Sequence, residues 1–168
     1  MHHIHITLIA ILPLLVSNAW AQASHCQADE FEYFSCQLRQ SKKVVSLCGS
    51  TPVKDQDGVT VLPDWLQYRF GLLGKPELVF PRKKAGSTAQ FIGEYHHPYE
   101  GVYYGLMFTN AGVPYTLMKV NADNVFVGLY VQATPDKFIK LACGAHSNGS
   151  TRQAFTELVL TLDPEQAK

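Results

Sequence analysis

From Phe31 to Cys143 apolar side chains recur at alternate positions, and turn residues interrupt the pattern every eight to twelve positions. A period of two puts successive side chains on opposite faces of an extended strand, so each segment offers one apolar face to bury. Eight or nine such segments follow one another with no helical pattern between them. Parallel strands need crossovers of a dozen residues or more, which these connections do not supply. The pattern therefore predicts an all-β fold, an antiparallel sandwich or a closed barrel.

The segments are readable one by one. Phe31–Arg39 and Val44–Cys48 flank the polar turn Gln40-Ser41-Lys42-Lys43. Trp65–Phe70 alternates Leu66, Tyr68 and Phe70 with Gln67 and Arg69, and Glu77–Phe80 and Ala89–Tyr95 follow. The densest stretch is Val102–Val131, with turns at Asn110-Ala111-Gly112 and Asn121-Ala122-Asp123-Asn124. After Thr134-Pro135-Asp136, the residues Ile139, Leu141 and Cys143 share a face. Near the end, Ser150-Thr151-Arg152-Gln153 resembles a capping box. Ala154, Phe155, Leu158, Val159 and Leu162 then recur at helical spacing before Asp163-Pro164. Thr156, Leu158, Leu160 and Leu162 fit a strand as well, so 151–162 is expected as a short helix or a last strand.

The beginning of the chain reads as a secretory signal peptide over residues 1–23. Ile6–Val16 is apolar apart from Thr7 and Pro13, and Ser17-Asn18-Ala19-Trp20-Ala21-Gln22-Ala23 offers cleavage after Ala21 or Ala23. A membrane span needs about 20 apolar residues, more than this run has. Cys26 follows Ala23-Ser24-His25 rather than a lipobox, so a soluble periplasmic or secreted protein is expected. The remainder, 24–168, has the length of a single domain. With 14 basic and 14 acidic residues, all after the signal, it carries no positive excess for nucleic acid or an anionic membrane.

Four cysteines, Cys26, Cys36, Cys48 and Cys143, make two disulfides the natural expectation in an exported chain. A hairpin over 34–48 suggests Cys36 opposite Cys48, which leaves Cys26 for Cys143. The alternative is Cys26–Cys36 with Cys48–Cys143. The spacing does not suit a metal site, and no cofactor is implied. Near Cys143, His146 suggests a thiol nucleophile, but export and the even cysteine count favour a disulfide.

Phe34-Ser35-Cys36-Gln37-Leu38, Lys43–Ser50, Leu66-Gln67-Tyr68-Arg69-Phe70-Gly71 and Pro76–Pro81 together resemble a group of small exported proteobacterial proteins with no assigned function. The likeness covers about residues 33–81, implies export into a bacterial envelope, and brings no activity. In size, export and strand content the chain also resembles periplasmic lysozyme inhibitors and immunity proteins against cell-wall hydrolases.

Chemistry-bearing residues concentrate in Glu94-Tyr95-His96-His97-Pro98-Tyr99-Glu100-Gly101-Val102-Tyr103-Tyr104. This reads as a polar connection with anchoring aromatics or as a recognition loop in which Tyr95, His96, His97, Tyr99 and Tyr103 meet a protein or glycan of the cell envelope. Adjacent histidines on a strand point apart, which disfavours joint metal ligation. Asp55-Gln56-Asp57-Gly58 reads as an ordinary turn and Arg82, Lys83 and Lys84 as a solvated loop. Asn148-Gly149-Ser150 is formally a glycosylation sequon. The sequence contains no G-x-S-x-G, H-E-x-x-H or P-loop motif. The expectation is a binding protein, such as an inhibitor or immunity factor. The alternatives are a small hydrolase using His96 or His97 with Glu94 or Glu100, or a structural component of an envelope assembly.

Overall fold

A computed structural model describes residues 23–58, 60–98, 101–122, 125–144 and 149–166, with backbone alone over 149–152. Strands β1 (Phe31–Gln37), β2 (Lys43–Gly49), β5 (Leu66–Leu72) and β6 (Lys75–Phe80) form a four-stranded antiparallel sheet in the order β1-β2-β5-β6. Between β2 and β5 lies a two-strand flap, β3 (Val53–Lys54) and β4 (Thr60–Val61). Strands β7 (Ile92–His96), β8 (Gly101–Asn110), β9 (Val113–Ala122), β10 (Phe126–Thr134) and β11 (Lys137–Ala142) form a five-stranded meander in the order β11-β10-β9-β8-β7. The expected β-rich class holds, in the form of a sandwich rather than a closed barrel. The expected eight or nine strands correspond to its longer elements, and the flap adds two short ones.

Turn chemistry accounts for the central hairpin. Ala111 and Gly112 take φ of 49° and 79°, the left-handed pair that matches the twist of flanking strands, and Asn110 pairs with Val113. The inner faces then follow from register. On the first sheet Phe34, Cys36, Val45, Leu47, Leu66, Tyr68 and Phe70 share the core side; on the second, Leu106, Phe108, Leu117 and Leu129 do. Tyr68, Phe80, Phe91, Phe108 and Tyr115 interlock as an aromatic cluster between the sheets, with Phe80–Phe108 and Phe108–Tyr115 stacked at 4.9 and 5.0 Å.

The ambiguous tail is a helix, α1 (Gly149–Leu162), which packs against β1 and β7 and buries Phe155, Leu158 and Val159. The helix comes so near β7 that a Cβ at Gly93 would collide with the Val159 carbonyl. Asp163 ends it: this buried carboxylate accepts the backbone N–H groups of Tyr95 and Glu165, both at 2.8 Å. The side chains of the anticipated capping box before Gln153, like the signal segment before Ala23, lie outside the described residues. So do the turn residues Asp123 and Asn124 and the sequon residue Asn148.

Both expected disulfide pairings are overturned. The bridges are Cys26–Cys48 and Cys36–Cys143, with Cα separations of 5.4 and 5.6 Å. Register explains why. Cys36 pairs with Val45 and points into the core, whereas Cys48 pairs with Glu32 and points to the opposite face. A shift of one position exchanges the faces of a strand. The turn is offset from the one assumed by an odd number of residues, which sends the two sulfurs apart. Cys36–Cys143 instead joins the sheets at a corner where Leu38 bridges Cys143 and the Arg39 N–H donates to the Ala142 carbonyl at 2.8 Å. Cys26–Cys48 fastens the segment 23–30 across the outer face of the first sheet.

Candidate binding surfaces

Beneath that strap the outer face of the first sheet is polar but buried. Ser35, Ser46, Gln67 and Arg69 are buried. Ser35 Oγ donates to the Ala23 carbonyl, and Ser46 Oγ accepts from the His25 N–H. Arg69 donates to both oxygens of Glu30, to the His25 carbonyl and to Gln67 Oε1. Side-chain exposure is 8% for Arg69 and 1% for Glu30, so this is an interior ion pair. Lys84 Nζ reaches Glu30 at 2.7 Å and lies over the Trp65 ring. Burial by itself would raise the Glu30 carboxyl. Hydrogen bonds from Arg69, Lys84 and the Gln27 N–H outweigh it and hold the group at about 2. Lys84 is thus an anchored cation, not part of a merely solvated loop. Arg69 and Gln67 alternate with apolar neighbours and read in sequence as a solvent face, because the strap that covers them has no signature of its own.

Cys26, Glu30 and Cys48 bring potential ligand atoms within 4.8 Å of one another. The two sulfurs are spent on each other and the carboxylate on Arg69 and Lys84, so the geometry is that of a staple, not a metal centre.

The segment singled out from sequence is divided by the sheet. His96 pairs with Tyr103 and Glu94 with Gly105, which places Glu94, His96 and Tyr103 together on the outer face of the second sheet. One Glu94 oxygen meets His96 Nε2 at 2.9 Å; the other accepts from the Tyr103 hydroxyl at 3.1 Å. The His96 ring stacks on Tyr103 at 5.7 Å. Burial, then the charge of Glu94 and the bond to it, push the Tyr103 hydroxyl above the usual phenol range, so it acts as a donor rather than a nucleophile. Tyr95 faces the other way, 5.3 Å from Tyr104, whose ring carries Lys119 Nζ. His97 lies just past β7 and is exposed, and Tyr99 and Glu100 fall outside the described residues. Of the four candidates among the described residues, His96 and Tyr103 share one face while Tyr95 faces the other and His97 lies past the strand, so these four do not converge on one point. Farther across the same outer face, Phe126 and Tyr130 meet edge to face beneath Lys140.

A concave site lies elsewhere. Phe31 and Tyr33 of β1, the flap with its flanking prolines Pro52 and Pro63, and the α1 residues Ala154, Glu157, Leu158 and Thr161 surround a cleft of about 340 Å³, counting space open to solvent. Tyr33 closes its floor, held by a hydrogen bond from its hydroxyl to the Ser50 carbonyl at 2.9 Å. Val61 and Leu62 at the rim are 44% and 41% exposed. The Asp55-Gln56-Asp57-Gly58 turn that shapes the flap is an ordinary one, as its sequence suggests: Asp55 Oδ1 accepts the Asp57 N–H and Gly58 has φ 78°. Sequence reading missed this cleft because its three walls come from segments at least 19 positions apart. No family model matches this chain, and neither curated proteins nor solved structures give a significant match.

Proposed function

We propose that this chain is exported and works outside the cytoplasm as a binding domain for a protein of the cell envelope, as an inhibitor or immunity factor would. The observation that carries the reading is the apolar cleft between the flap and α1, with large apolar residues exposed at its mouth beside a rigid, disulfide-tied sheet. Exposed apolar surface rimmed by polar residues marks protein-interaction sites. The two disulfides suit an oxidising, extracytoplasmic compartment. No helix among the described residues is long and apolar enough to cross a membrane. Membership of the exported proteobacterial group belongs to the same proposal.

The test is affinity capture from envelope extract with the oxidised domain, then titration of each purified partner. Saturable one-to-one binding supports the reading, and failure to bind any envelope protein overturns it. A second reading, a small envelope hydrolase, draws on the 2.9 Å contact of Glu94 with His96. Turnover of an envelope polymer that disappears in His96→Ala would favour it.

A further inference from the structure

We propose that the cleft between β1, the flap and α1 receives the side chain of an arginine or lysine from a protein partner; this rests on the binding reading above. The lining is apolar on three sides, through Phe31, Val61, Leu62 and Leu158, and the one carboxylate among its residues is that of Glu157. Glu157 is exposed, and its Oε1 accepts from the neutral amide of Gln153 at 2.9 Å. Among the described residues no cation pairs with it, in contrast to Glu30 and Glu77.

The segments that carry the cleft are acidic by sequence: 50–66 holds Asp55, Asp57 and Asp64 against Lys54, and 149–168 holds Glu157, Asp163 and Glu165 against Arg152 and Lys168, on a chain whose net charge is zero. Asp163 turns inward to the Tyr95 N–H, and of the rest Glu157 alone lines the cleft. A long side chain with an apolar stem and a cationic tip matches an apolar slot under a carboxylate. A carboxylate-bearing or purely apolar side chain would leave Glu157 repelled or uncompensated.

The experiment is an amide NMR titration of the oxidised mature protein with a capped Leu-Arg-Leu tripeptide and, separately, a capped Leu-Glu-Leu tripeptide. The arginine peptide is expected to shift the amides of Val61, Leu62, Ala154 and Leu158, more weakly as salt is raised. Glu157→Gln should lower its affinity about threefold, the size of a partly exposed ion pair. Equal shifts from the glutamate peptide, shifts that map elsewhere, or none with either peptide would overturn the proposal. If an envelope partner binds wild type and Glu157→Gln equally, the cleft assignment fails while the binding function stands. If neither peptide nor any envelope protein binds, both fail.

Discussion

Arg69 and Glu30 meet as a bidentate pair, with Nη1–Oε2 2.6 Å and Nη2–Oε1 2.7 Å, on a sheet face that alternation alone would assign to water. Removing Arg69 leaves Glu30 charged and buried with Lys84 as its one remaining cation among the described residues. Arg69→Met is therefore expected to destabilise the domain by about 3 kcal/mol, the low end for a broken buried pair, read as a drop in the urea midpoint. A change below about 1 kcal/mol would mean that the strap lifts away and water reaches Glu30.

The same pair makes stability depend on acid. Glu30 sits at about 2 in the fold against an ordinary 4.5, so the unfolded chain takes up its proton first as pH falls. Its contribution is complete above about 4.5 and is lost between there and 2. The amount is on the order of 3 kcal/mol. Urea denaturation from pH 7 to pH 2 should follow this fall in wild type, and Glu30→Gln should flatten it. Equal acid slopes for the two proteins would refute the assignment.

The cysteine pairing gives a direct chemical test. Non-reducing peptide mapping should recover Cys26 linked to Cys48 and Cys36 linked to Cys143; a Cys36–Cys48 peptide would contradict the register of β1 and β2. The two bridges close loops of 22 and 107 residues. In the chain-entropy picture they contribute roughly 3 and roughly 5 kcal/mol. The double variant Cys36→Ala/Cys143→Ala should consequently lose more stability than Cys26→Ala/Cys48→Ala in thermal unfolding.

Tyr68 offers a prediction of opposite sign. Its side chain is fully buried among Phe108 and Tyr115, and its hydroxyl has no hydrogen-bond partner among the described residues. A buried polar group left unsatisfied costs about 1–3 kcal/mol. Tyr68→Phe keeps the ring and removes the cost, so the melting temperature should hold or rise. A clear fall would show that the hydroxyl is hydrogen-bonded in solution.

Alternation along the chain was enough to assign the β class and the core side of most strands. Tyr68, Leu106, Leu117 and Leu129 each face inward as their spacing dictates, because a half-buried strand must segregate its side chains with a period of two. The ambiguous tail needed its neighbours. Phe155, Leu158 and Val159 form a helix there because that spacing fills the space over β1 and over Gly93 of β7. Register, cover and convergence were also decided only by tertiary structure. The β1–β2 offset sends Cys36 and Cys48 to opposite faces, the strap turns Arg69 from a surface residue into an interior one, and the cleft draws its walls from three distant segments. Each depends on which pieces of chain meet in space, and a local pattern records only what a residue prefers beside its own neighbours.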